Sequence, residues 1–161
     1  MENNNLTIKD DVLKRIIFGA SILGLLDAAY LTVEKITQNK AMCLPGLGDC
    51  WTVSNSPYSQ VFGIPVAVFG FIAYLLLIFL LKSETMYPNW KDSILLGAFG
   101  LALSGTVYSI YLTYLEIAVI KAVCPFCVIS ALVMVIIFIC TILRLDRNQS
   151  EFKSQLEDKN G

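Results

Sequence analysis

Three stretches of this chain run without a charged residue for the span of a lipid bilayer: Ile64 to Leu81, Ser93 to Leu115 and Ala122 to Leu143. At about 1.5 Å of rise per residue, about 20 such residues cross a hydrocarbon core of about 30 Å. A lone segment there satisfies its backbone polar groups only as a helix. A fourth stretch, Ile16 to Val33, has the same reach and is interrupted only by Asp27. The pattern predicts an all-α integral membrane protein, a four-transmembrane-helix bundle with helices over approximately 14–36, 64–82, 93–116 and 123–144. The loop 37–63 and the polar tails 1–13 and 145–161 complete a single membrane domain over 1–161.

Composition agrees. Of 161 residues, 56% are hydrophobic and 16% charged, more apolar surface than a soluble domain of this size can bury. Net charge is −1 and no basic cluster stands out, so nothing points to nucleic acid. The chain has no histidine, which removes imidazole-ligated haem, histidine metal sites and a histidine general base together. Its chemistry rests on cysteine, carboxylates, hydroxyls and the backbone.

Lys14-Arg15 before the first apolar run is similar to the start of a signal peptide, but the run is longer than a signal core and no small-x-small cleavage site follows it. The segment is expected to stay as the first span. With four spans, the two tails and the 82–92 loop share one side. They hold nine of the twelve basic residues, against Lys35, Lys40 and Lys121 on the other. By the positive-inside rule both termini are cytoplasmic, the loop 37–63 is outer, and the pairs Cys43/Cys50 and Cys124/Cys127 both face the extracytoplasmic side. That side is where disulfides persist.

The halves repeat. Tyr30-Leu31-Thr32 returns as Tyr111-Leu112-Thr113, and Cys43 is answered by Cys124, each 81 residues later. Both cysteine pairs are therefore expected at one membrane level. The outer loop holds Cys43 and Cys50 among the turn residues Pro45, Gly46, Gly48, Asp49, Asn55 and Pro57. The stretch Trp51 to Tyr58 after it is amphipathic enough to lie at the interface. Gly63-Ile64-Pro65 is expected to open the second helix, with proline in its first turn.

Cys124-Pro125-Phe126-Cys127 lies at the mouth of the last span. Helical geometry puts the two sulfurs on one face. Unpaired N–H groups and the helix dipole there favour a thiolate, and C-x-x-C pairs are among the sites where thiol pKa falls. The pair can cycle between dithiol and disulfide, and Cys43 and Cys50 can exchange with it. Other readings of the same four cysteines are a four-thiolate zinc site and an inert disulfide framework on a non-catalytic membrane scaffold. Cys140, deep in the last span, reads as a small buried hydrophobe. Asp27 is an intramembrane acid, and a protonated side chain bonded to a neighbouring helix accounts for it as well as a functional role does. Glu34 and Glu116 are expected to be solvated at the outer helix ends. Gly97, Gly100 and Gly105 are expected at close helix contacts.

Taken together, Cys43…Cys50, Ser56-Pro57-Tyr58…Phe62-Gly63-Ile64-Pro65 and Cys124-Pro125-Phe126-Cys127 on four spans resemble the bacterial branch of the vitamin K epoxide reductases, over about Arg15 to Leu143. Bacterial disulfide oxidases of unrelated sequence carry their C-x-x-C in the first outer loop; here it comes second. The resemblance implies an inner-membrane thiol–quinone oxidoreductase that supports disulfide formation. Cys43 would exchange with a separate thioredoxin-like (DsbA-like) protein, Cys50 would pass electrons to Cys124, and Cys127 would meet the quinone. The acceptor would be ubiquinone or menaquinone, and no metal is expected. Ser56 would hold or cap the quinone, with Phe62 and Phe126 as apolar walls.

Overall fold

The computed structural model describes residues 2–37, 52–53, 56–61 and 63–160. Four long helices carry the chain: α1 (Glu2–Thr37), α2 (Val66–Met86), α3 (Lys91–Leu115) and α4 (Pro125–Asn160). Within them, Asp10–Thr37, Val66–Met86, Pro88–Ile120 and Pro125–Ser150 are long and apolar enough to cross a membrane. α1 and α4 continue past the apolar runs into polar sequence rich in Lys, Glu, Asp and Gln. Lysine, glutamate and glutamine are good helix formers, so no signal stops either helix at the end of its hydrophobic stretch.

The helices form a ring in which α1 packs on α2 and α4, and α3 packs on the other side of α2 and α4. The interior holds Ala28, Tyr74, Leu77, Ala98, Ala102, Met134 and Ile137. Small residues set the close approaches. A Cβ at Gly105 would stand 2.7 Å from Met134 Cε, and one at Gly24 would overlap the ring of Tyr74. Gly97 and Gly100 differ from expectation: nothing lies within 4 Å of a Cβ at either, so neither marks a helix contact. The outside is apolar too, with Leu26, Phe79, Leu96, Ile110 and Leu132 each more than half exposed. A bundle apolar on both faces suits lipid rather than water.

Pro65 is not inside the first turn of α2. It caps the helix from outside, and Ile64-Pro65 (β2) pairs antiparallel with Gln60-Val61 (β1). Gly63 closes this small hairpin at φ 80°, which only glycine adopts without strain. At the far end of α2, Tyr87 N–H donates to Ser83 O at 2.9 Å. Pro88 then starts the 3₁₀ turn Pro88–Trp90 that leads into α3.

The end of the bundle remote from Cys124 is tied by charge. Arg144, 1% exposed, donates from Nε to Asp10 Oδ1 at 2.8 Å and from Nη2 to Glu84 Oε1 at 2.7 Å. Further bonds from Nη2 to Asp10 Oδ2 and from Nη1 to Glu84 Oε2 are each 3.1 Å. Lys14 stands 3.7 Å from Glu84, and Lys91 lies 3.9 Å from Asp10. One guanidinium thus joins α1, α2 and α4, and Lys91 brings in α3. The sequence reading treated Arg144 only as a positive charge in the tail.

Candidate functional site

The α-helical hydrogen bonding of α3 stops at Leu115, and Glu116–Ile120 continues as one wide π turn. Lys121 then adopts a left-handed conformation at φ 55°, and Ala122 N–H returns to Glu116 O at 3.2 Å. A π turn is rare and frequently found at functional sites, and left-handed backbone at a lysine is strained by about 1–2 kcal/mol. The reversal brings Cys124 back over the end of α3. Cys124 C=O accepts the first intrahelical bond of α4 from Val128 N–H at 3.1 Å. Pro125 follows as the first helical residue, where its missing N–H is not needed.

Cys124 is buried and Cys127 half-buried. Cys124, Cys127 and Glu116 line one and the same cavity. Glu116 Oε2 also accepts the backbone N–H of Cys124 at 3.1 Å. Glu116 is therefore not solvated. It is 3% exposed, and Glu34 at the end of α1 is 2% exposed. A hydrophobic run shows where a helix ends, but each residue swings the side chain by about 100°, so it does not show which way the last ones point.

A cavity of about 310 Å³ opens beside the pair, lined by residues of all four helices and by both sulfur residues. Its wall is mostly apolar, with Leu31, Val66, Leu101, Leu112 and Met134 among its residues and Glu34, Glu116 and Ser130 as polar points. This matches the size and character of a small-molecule site. Tyr74 Oη reaches across it from α2, 3.0 Å from both the carbonyl and the hydroxyl of Ser130, one turn beyond Cys127. Asp27 forms no bridge through its buried Oδ2, which lacks a hydrogen-bond partner, as does the buried Ser21 Oγ.

Of the residues expected at the site, Ser56 lines the cavity, its hydroxyl donating to Val53 O at 2.8 Å. Val53 itself is buried against Cys124 and Phe126. Phe126 packs at a 37° tilt against Tyr30 with ring centroids 4.9 Å apart and is not among the residues that line the cavity. Cys43, Cys50 and Phe62 lie outside the described residues. Cys140 is 8% exposed within the core, as a small hydrophobe should be. Among the described residues, no three cysteine or acidic side chains cluster to hold a metal ion. Glu34, Glu116 and Tyr74 are the site residues that sequence reasoning missed. A trace was present, since each half of the repeat carries a glutamate four or five residues after its Tyr-Leu-Thr tyrosine.

The model of the vitamin K epoxide reductase family matches residues 15–142. The chain belongs to the vitamin K epoxide reductase family. Within that family it is similar to the thiol-disulfide oxidoreductase LTO1 of Arabidopsis thaliana, at 32% identity over 124 residues. The match takes in 73% of this chain and 33% of the plant protein, so the chain spans about a third of the length of that curated relative. The family match runs from the first turns of the first span to the last turns of the fourth, and so includes the π turn and the Cys124–Cys127 mouth.

Proposed function

We propose that this protein is a membrane thiol–quinone oxidoreductase that oxidises a separate thioredoxin-like partner and reduces ubiquinone or menaquinone. The observation that carries the reading is the Cys124–Cys127 pair forming part of the wall of a largely apolar cavity at a helix mouth. A quinone ring is flat, apolar and small enough for such a space, and a dithiol gives up two electrons and two protons on closing to a disulfide. Membership of the family and similarity to a thiol-disulfide oxidoreductase support the same reading.

In this reading Cys43 exchanges with the partner, Cys50 passes electrons on to Cys124, and Cys127 faces the quinone. Both cysteine pairs face outward across the inner membrane, with both termini in the cytoplasm. Ser56 holds the ring edge. Phe126 backs the pair through its packing on Tyr30 rather than touching the ring.

The test is anaerobic mixing of the fully reduced, detergent-solubilised chain with a soluble benzoquinone, following quinone absorbance and free thiols together. Loss of two thiols per quinone reduced is expected. A folded sample that consumes no quinone overturns the proposal.

A further inference from the structure

The oxidation of a dithiol needs a base at the sulfurs, and this chain has no histidine to provide one. Water is a poor substitute here, because Cys124 is 1% exposed. Among the described residues, Glu116 is the acid that accepts the Cys124 N–H, at 3.1 Å, and it lines the same cavity as Cys124 and Cys127. Its own exposure is 3%. The backbone that puts it there is costly: a π turn begins at Glu116, and left-handed Lys121 folds the chain back so that cysteine and carboxylate meet eight residues apart. Strain kept at such a place is a mark of function.

We propose that Glu116 is the proton acceptor for the Cys124–Cys127 pair, its carboxylate taking the proton that leaves Cys127 Sγ as the disulfide forms. The inference rests on the redox reading of that pair given above. In the step, both S–H bonds break and one S–S bond forms. Two electrons pass from the sulfurs to the quinone, whose two carbonyl oxygens become hydroxyls. The proton of Cys127 travels through Glu116 to one oxygen, and the proton of Cys124 completes the quinol. Glu116 ends ionised, as it began, ready for the next pair of electrons. It counts as a catalytic residue because, in this step, it receives the proton of a reacting sulfur.

The alternative is a capping role in which Glu116 merely satisfies the Cys124 N–H. The two separate cleanly, since a glutamine carbonyl can accept that N–H but cannot take a thiol proton at neutral pH. Other titratable groups line the same cavity: Glu34 and Lys35 from α1, Tyr58 from the outer segment, Tyr74 from α2 and Tyr108 from α3. All stay in place when Glu116 alone is changed.

The experiment uses the full chain carrying Cys43→Ser and Cys50→Ser, so that the inner pair reacts by itself. Disulfide closure is timed against pH with two oxidants, diamide and a short-chain benzoquinone. Glu116→Gln is expected to slow closure by either oxidant about 100-fold at pH 7. The gap should narrow as pH approaches the ordinary thiol value of about 8.5, where the sulfur ionises unaided. Glu116→Asp should fall between, about tenfold slower than the parent, and decides the matter alone if the glutamine variant does not fold. Closure within about threefold of the parent with an unchanged pH profile, in the glutamine variant or failing that the aspartate one, overturns the proposal. The diamide arm isolates it from the quinone reading. If closure with diamide shows the expected order but the parent reduces no benzoquinone, the proton role stands and the quinone acceptor falls.

Discussion

Tyr74 and Ser130 join α2 to α4 across the cavity, the phenol oxygen 3.0 Å from the serine hydroxyl and equally far from its carbonyl. Ser130 stands one helical turn from Cys127, so the bond fixes the inward face of the redox helix. Tyr74→Phe removes the bond and keeps the ring, 1% exposed, in its place. Interhelical hydrogen bonds in membranes average about 0.6 kcal/mol and reach about 1.7. A loss in that range is expected in a denaturant titration of the detergent-solubilised protein, with quinone reduction slowed rather than abolished.

Removing the sulfur assigned to the quinone should separate the two ends of the relay. Cys127→Ser is expected to reduce quinone turnover to background while still trapping a mixed disulfide with a thioredoxin-like partner, visible as a thiol-sensitive band on a gel. Continued turnover in that variant would remove Cys127 from its role. Cys140→Ala, deep in the core, should turn over at the parent rate.

Arg144 makes its four hydrogen bonds to two carboxylates while almost fully enclosed. Removing one partner from such a cluster strands the others, at a cost of about 3–5 kcal/mol. Arg144→Met should therefore destabilise the bundle severely in thermal unfolding. Adding Asp10→Asn and Glu84→Gln to the same chain should recover much of the loss, because no buried charge is then left without its counterpart. A triple variant no more stable than the single one would show that the guanidinium acts through packing alone.

Glycines on one chain should part company. Gly24→Val drives a side chain into the Tyr74 ring and is expected to cost about 1–3 kcal/mol. Gly97→Ala meets open space, so the better helix former should be neutral or stabilising by up to about 1 kcal/mol. Paired melting curves check both.

What could be read from the sequence was whatever depends on runs and spacing. Three uninterrupted apolar stretches and a fourth broken only by Asp27 marked the four helices, and the place of Cys124-Pro125-Phe126-Cys127 at the start of the last run put the cysteines at a helix mouth. Direction around a helix was not legible. Glu34 and Glu116 sit where a polar residue would meet water, yet both turn inward, and nothing in Glu116-Ile117-Ala118-Val119-Ile120 signals a wide turn. Arg144 was hidden for a similar reason: beyond the last apolar residue, a charge reads as tail until the partners Asp10 and Glu84 are brought to it from far along the chain. For Phe126, one residue of helical rotation separates Cys127 on the cavity wall from a ring set at a tilt against Tyr30.

The carboxylate and the cysteine whose N–H it accepts lie on one helical hairpin, α3 and α4, with Glu116 and Cys124 only eight residues apart. Bringing together groups so near in the chain costs little loop-closure entropy. The reactive centre can therefore be complete as soon as the second half of the chain has inserted, whereas the cavity walls contributed by α1 and α2 come from across the whole molecule. The acid and the cysteines thus need only one local hairpin to meet, while the chamber around them needs the whole chain.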